Sequence, residues 1–110
     1  MMTSFFIRTD NKFTRIRYAE ILYIEALKNY IRIVTEKETY LALITMKKIE
    51  SELPAHLFCR VHRSFIVSLE HIVFFNGESI RVGHKAVPIS ALFKTALLKK
   101  INIVQQQVSL

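Results

Sequence analysis

Along most of this chain apolar and polar residues alternate in short runs separated by turn formers, a pattern that predicts strands. Ser4 to Arg8 and Lys12 to Tyr18 flank Asp10-Asn11, two good turn residues, so the chain opens with a hairpin. Thr14, Ile16 and Tyr18 fall on one face of it, Phe13, Arg15 and Arg17 on the other. Ile21 to Ala26 is nearly continuous in apolar residues, as a well-buried central strand would be. Leu27, Lys28 and Asn29 break that run before Tyr30 to Glu36, which completes a second hairpin, and Glu36-Lys37-Glu38 turns the chain into Thr39 to Ile44. Thr45 then suits the cap of a short helix with Met46, Ile49 and Leu53 inward and Lys47, Lys48, Glu50 and Glu52 outward, ended by Pro54.

In the second half, His71 to Phe75 and Ser79 to Val82 flank Asn76-Gly77, the strongest short-range hairpin signal in the sequence. A turn near Gly83-His84 leads into Lys85 to Ile89, where Pro88 argues for a sheet edge. Ser90 is placed to cap a helix from Ala91 to about Asn102, with Phe93, Leu97 and Ile101 inward and Lys94, Lys99 and Lys100 exposed. The expectation is a mainly β domain of about ten short strands in small antiparallel sheets, an elongated sandwich or barrel-like body, with one short mid-chain helix and one C-terminal helix. Its expected extent is residues 1–104, with 105–110 a frayed, disordered tail.

The pattern fails in one place. Between Phe58, Cys59 and Val61 on one side and Phe65, Ile66, Val67 and Leu69 on the other stand three consecutive polar residues, His62-Arg63-Ser64. A straight strand sends alternate side chains to opposite faces, so three in a row cannot all avoid the core, and the backbone is expected to bend or bulge here.

Composition narrows the chemistry. The 110 residues suffice for one domain with a real core, and no apolar run approaches the ~18 residues of a membrane span, so a soluble, cytoplasmic protein is expected. The first twenty residues lack the continuous apolar segment of a signal peptide, and the single cysteine, Cys59, allows no internal disulfide. Net charge is +7 and uneven: Met1 to Glu52 holds nine Lys/Arg against seven Asp/Glu, Leu53 to Leu110 seven against two. Such a field favours polyanions, with solubility charge alone the plainer alternative.

Two glycines, both in turns, are too few for a phosphate-cradling loop. His62 and Ser64 are neighbours, but no acid is placed to orient the histidine, so no enzyme is expected. Cys59 and His62 have a ligand-like spacing, with His56 and His71 not far off; without a second pair, Cys59 reads better as a small buried strand residue, and neither metal nor cofactor is expected. What survives is nucleic-acid binding through loops. Arg63, between His62 and Ser64, is suited to a bidentate pair with guanine. Lys28 suits phosphate, Asn29 adenine edges, and Tyr30 phosphate donation or packing. Two alternatives stand beside duplex recognition: a small β-barrel that stacks single-stranded RNA or DNA on some of the twelve aromatic residues, and a protein-interaction module whose basic face is incidental.

Taken in order, Ile21-Leu22-Tyr23-Ile24-Glu25-Ala26 with Asn29-Tyr30, Leu53-Pro54, Phe58, Arg60-Val61-His62-Arg63-Ser64-Phe65-Ile66-Val67 and Val87-Pro88-Ile89-Ser90 resemble the LytTR-type DNA-binding output domain of bacterial response regulators, over about residues 4–103. The resemblance implies an elongated fold of small antiparallel sheets that inserts loops into successive major grooves of double-stranded DNA. It further implies a transcription regulator, often a homodimer on direct-repeat promoter sites, downstream of a receiver domain and sensor kinase. Carried over by position, the reading loops are Lys28 to Ile31, the turn at Arg63, and the segment just after Ser90. That last segment departs from the pattern, which commonly has a basic residue directly after the serine where this chain has Ala91. Lys94, about one helical turn on, is the candidate replacement for the phosphate contact. Ser68 stands where asparagine is frequent, a change expected to be structural.

Overall fold

Ten strands in three antiparallel sheets and two α-helices build the computed structural model, which describes residues 1–105. Beyond Gln105 the expected tail lies outside the described residues. The sandwich measures 52 × 31 × 25 Å, elongated as expected.

The first sheet is the hairpin of β1 (Ser4–Thr9) and β2 (Lys12–Arg17). Asp10 and Asn11 form its turn at φ 44° and 32°, the left-handed geometry whose twist suits a two-residue hairpin loop. The central sheet has the order β5-β4-β3-β7-β6, from β3 (Ile21–Ala26), β4 (Ile31–Thr35), β5 (Thr39–Ala42), β6 (Phe58–His62) and β7 (Phe65–Ser68). The third sheet joins β8 (Ile72–Phe75), β9 (Ser79–Val82) and β10 (Lys85–Pro88), with the Pro88 strand at its edge.

β3 is nearly continuous in apolar residues because both its faces are covered. Ile21 and Ile24 enter one core with Ile7, Ile16, Ile31, Ile33, Phe58, Ile66 and α1 (Met46–Glu52), while Leu22 and Tyr23 pack on the other. Two isoleucines three apart share a face because the register shifts between Ile21 and Tyr23. The second core holds Cys59, Val61, Phe65 and Val67 against Ile80, Val82, Val87 and Leu97, so Cys59 and Val61 are the buried strand residues the sequence indicates. Truncating a fully buried member such as Ile24 or Ile66 to alanine would cost about 2–5 kcal/mol.

Thr45 caps α1 as expected, its Oγ1 accepting the Lys48 N–H at 3.0 Å, and Met46, Ile49 and Leu53 face inward. Several boundaries differ from expectation. β5 stops at Ala42, where Ile44 N–H folds back to the Ala42 carbonyl. The second helix, α2 (Ala91–Leu98), stops short of Asn102 because the chain turns so that the Lys100 ammonium can donate to the carbonyls of Ala55 (2.7 Å) and Phe58 (2.9 Å). Ser90 holds the cap position, but its side chain makes no capping bond. The hairpin at Asn76-Gly77 forms with Gly77-Glu78 at its tip, since the Asn76 side chain accepts the N–H groups of Glu78 and Ser79. Among the described residues no helix is long and apolar enough to cross a membrane.

Candidate nucleic-acid interface

Three chain segments meet at one end of the central sheet. β3 and β4 are joined by a tight turn closed by Leu27 N–H on the Tyr30 carbonyl (2.8 Å), which leaves Lys28 and Asn29 exposed at the tip and Tyr30 37% exposed. β6 and β7 are joined by Arg63-Ser64, with His62 paired to Phe65. The two tips are tied by Ala26 N–H, which donates to the Ser64 carbonyl at 2.9 Å. The third segment is tied to the same hairpin: Ser90 N–H donates to the Val61 carbonyl at 2.9 Å, so the first turn of α2 starts beside the end of β6.

The expected irregularity is a bulge. Between Arg60, opposite Ile66, and His62, opposite Phe65, the register gains one residue, Val61. A bulge leaves backbone groups without a ladder partner, and the Val61 carbonyl takes Ser90 as its own. Because β6 is an edge strand, the same bond covers part of an otherwise open edge.

The three polar residues of the interruption have separate tasks. Arg63 is exposed, and its side chain has no hydrogen bond or ion pair among the described residues. His62 is half-buried: its Nδ1 accepts the Ser64 N–H at 3.0 Å and its ring meets Phe65 edge-on at 5.8 Å. An accepting Nδ1 requires the ring proton on Nε2, which remains a donor. Ser64 is half-buried, with both backbone groups engaged and its hydroxyl unassigned. Lys94, expected to be exposed, is half-buried on α2.

Arg60 is the residue that reading the sequence missed. Its Nη2 donates to the Arg63 carbonyl at 2.6 Å, its Nε to the His62 carbonyl at 3.3 Å, and its Nη1 to Glu50 on α1 at 3.1 Å. The guanidinium also lies 5.8 Å from the centre of the Phe93 ring on α2. One side chain thus joins the turn to both helices. Its place two residues before His62 is a weak hint, since its main partners are carbonyls made available by a bulge. Lys85 was also passed over: its Nζ sits 5.8 Å from the centre of the ring of Phe65, the residue that follows Arg63-Ser64.

Two other features lie elsewhere. Cys59 is pushed up in pKa chiefly by burial, which keeps it a protonated core thiol. A cleft of about 740 Å³ lies between the central and third sheets against Val34, Thr35 and Glu36, at the end of β4 remote from the tips. The exposed aromatics are scattered, Phe6 and Phe13 on the first sheet, Phe74 on the third and Tyr30 at the turn after β3, and Tyr18, Phe58 and Phe65 are buried; a stacking platform for single strands is therefore not favoured.

Comparison with known proteins gives the family and the fold. Residues 11–102 match the model of the LytTr DNA-binding domain. The chain is 32% identical over 95 residues to the Sensory transduction protein LytT of Bacillus anthracis, covering 80% of this chain and 38% of that protein. It is 30% identical over 90 residues to LytT of Bacillus subtilis (76% and 37%) and 30% identical over 66 residues to the Sensory transduction protein LytR of Staphylococcus epidermidis (60% and 26%). The chain therefore spans about two fifths or less of the length of these curated relatives. A solved LytTr DNA-binding domain of a Bacillus cereus methyl-accepting/DNA response regulator shares the fold, with a TM-score of 0.77 at 22% identity over 91% of this chain and 97% of that one. On the family match across nearly its whole length, the chain belongs to the LytTr DNA-binding domain family.

Proposed function

We propose that this domain binds double-stranded DNA in a sequence-specific way through the tips gathered at one end of its central sheet, and that it acts as the output domain of a transcription regulator. The observation that carries the reading is the pair of 2.9 Å backbone bonds, Ala26 to Ser64 and Ser90 to Val61, which set three tips side by side around an arginine whose side chain has no partner among the described residues. Arg63 reads a base edge, with guanine its natural bidentate partner. Lys28 neutralises phosphate, Asn29 reads an adenine edge, and Tyr30 donates to phosphate. His62 and Ser64 hold the turn in shape, and the His62 Nε2–H and the Ser64 hydroxyl add donors to the same surface. Lys94 supplies a phosphate contact from α2.

The curated relatives are named sensory transduction proteins and are more than twice as long as the match, which supports a place downstream of a receiver domain and sensor kinase in the cytoplasm. Direct-repeat promoter sites bound by a homodimer complete the proposal. Selection of bound duplexes from a random pool, followed by competition between the selected duplex and its separated strands, tests it. A defined consensus with duplex preference is the expected result. Equal binding of any sequence, or preference for single strands, would sink it.

A further inference from the structure

We propose that Leu92 is a specificity residue, reading the C5-methyl group of thymine in the major groove beside the base held by Arg63. The inference rests on the duplex-reading function proposed above and adds a chemistry which Lys28, Asn29 and Arg63 lack. Lys28, Asn29, Tyr30 and Arg63 offer hydrogen-bond donors, which suit phosphates, purine edges and carbonyl oxygens. Thymine differs from every other base in the major groove by its methyl group, and only an apolar surface recognises that.

Leu92 is such a surface in the right place. It is 83% exposed and belongs to neither core. Singly exposed leucines are ordinary on protein surfaces, so exposure alone says little. Its position says more. Two residues earlier, Ser90 is bonded to Val61 in the hairpin whose tip is Arg63. One residue later, Phe93 is half-buried against the Arg60 guanidinium that grips the Arg63 carbonyl. The backbone at Leu92 is thus held at a fixed place beside the turn.

The test uses the duplex obtained by selection, with each thymine replaced in turn by deoxyuridine, which removes the methyl and keeps every hydrogen-bonding group. For the unaltered domain, affinity is expected to fall about four-fold, the equilibrium ratio for one buried methyl group, at one or two thymines adjoining the base pair at which Arg63→Ala lowers discrimination. For Leu92→Ala those positions should become insensitive to the replacement, while the thermal melt of the domain is unchanged. Tight sequence-specific binding with no deoxyuridine effect, or the same effect in Leu92→Ala, overturns the role of Leu92 and leaves the duplex reading intact. Absence of any sequence-specific duplex binding overturns both.

Discussion

Two of the hairpins that close through two-residue turns are held in opposite ways. At Asp10-Asn11 both residues have positive φ, so the turn carries the twist its strands need and asks nothing of its surroundings. At Arg63-Ser64 neither residue does; a turn without that geometry tends to splay its strands. The deficit is made good from outside: Val61 bulges, Arg60 grips the carbonyls of His62 and Arg63, His62 takes the Ser64 N–H, and Ala26 takes the Ser64 carbonyl. A turn fixed by its own backbone can be placed anywhere. A turn fixed by four other residues is fixed relative to them, which is what the role proposed for Arg63 requires of the neighbouring tips.

The strongest way to break the second arrangement is Arg60→Ala. It removes three hydrogen bonds that centre on one half-buried guanidinium, with an expected loss of about 1–3 kcal/mol of stability, because charge-assisted bonds are the stronger class. DNA affinity should fall at least ten-fold, since about 1.4 kcal/mol of turn reorganisation suffices for that. Chemical denaturation and a shift assay at one salt concentration measure the two effects. Arg60→Lys keeps the charge but not the fork, and should recover only part of either. Full affinity in Arg60→Ala would mean that the turn does not need this brace.

Next in size is Arg63→Ala, which leaves the brace intact because Arg60 uses the Arg63 backbone carbonyl. Its melt should stay within about 0.5 kcal/mol of the parent, while discrimination at one or two base pairs drops by about 1–3 kcal/mol. Repeating the duplex selection with the variant reads this directly; an unchanged consensus would remove Arg63 from the reading surface. Lys94→Ala should act differently, weakening all sequences alike and reducing the slope of log K against log salt by about 0.9, the share of one phosphate.

The two hairpins also mark what could be read from the sequence. Asp10-Asn11, the Thr45 cap and the apolar run of β3 were legible because each is decided by a few adjacent residues. The irregularity near His62 was legible as a break in alternation, and the bulge at Val61 is its cause. Arg60 was not legible, because nothing in Arg60-Val61-His62 says that the arginine will turn along the sheet edge to its own backbone. The end of α2 was missed for a similar reason: Lys100 is anchored to carbonyls 45 and 42 residues earlier. Where local chemistry sets the backbone, the sequence speaks directly. Where a side chain from elsewhere sets it, only the assembled sheet does.

The smallest effect is expected at the self-sufficient turn, and it sharpens the contrast most cleanly. Asn11 sits at φ 32°, a region that costs an L-residue roughly 1–2 kcal/mol and glycine nothing. Asn11→Gly removes that cost in the folded state but adds chain entropy to the unfolded one, so the net change should stay within about 1 kcal/mol and can favour the variant. The turn caps an outer face where Arg15 lies 4.5 Å from the Phe6 ring centre and Arg8 5.7 Å from that of Phe13, contacts that the strand register of β1 and β2 maintains whichever residue occupies position 11. DNA affinity and consensus should therefore be those of the parent. A loss of affinity in Asn11→Gly with an unchanged melt would show that the first hairpin also takes part in binding, and the division between a scaffold turn and a reading turn would have to be redrawn.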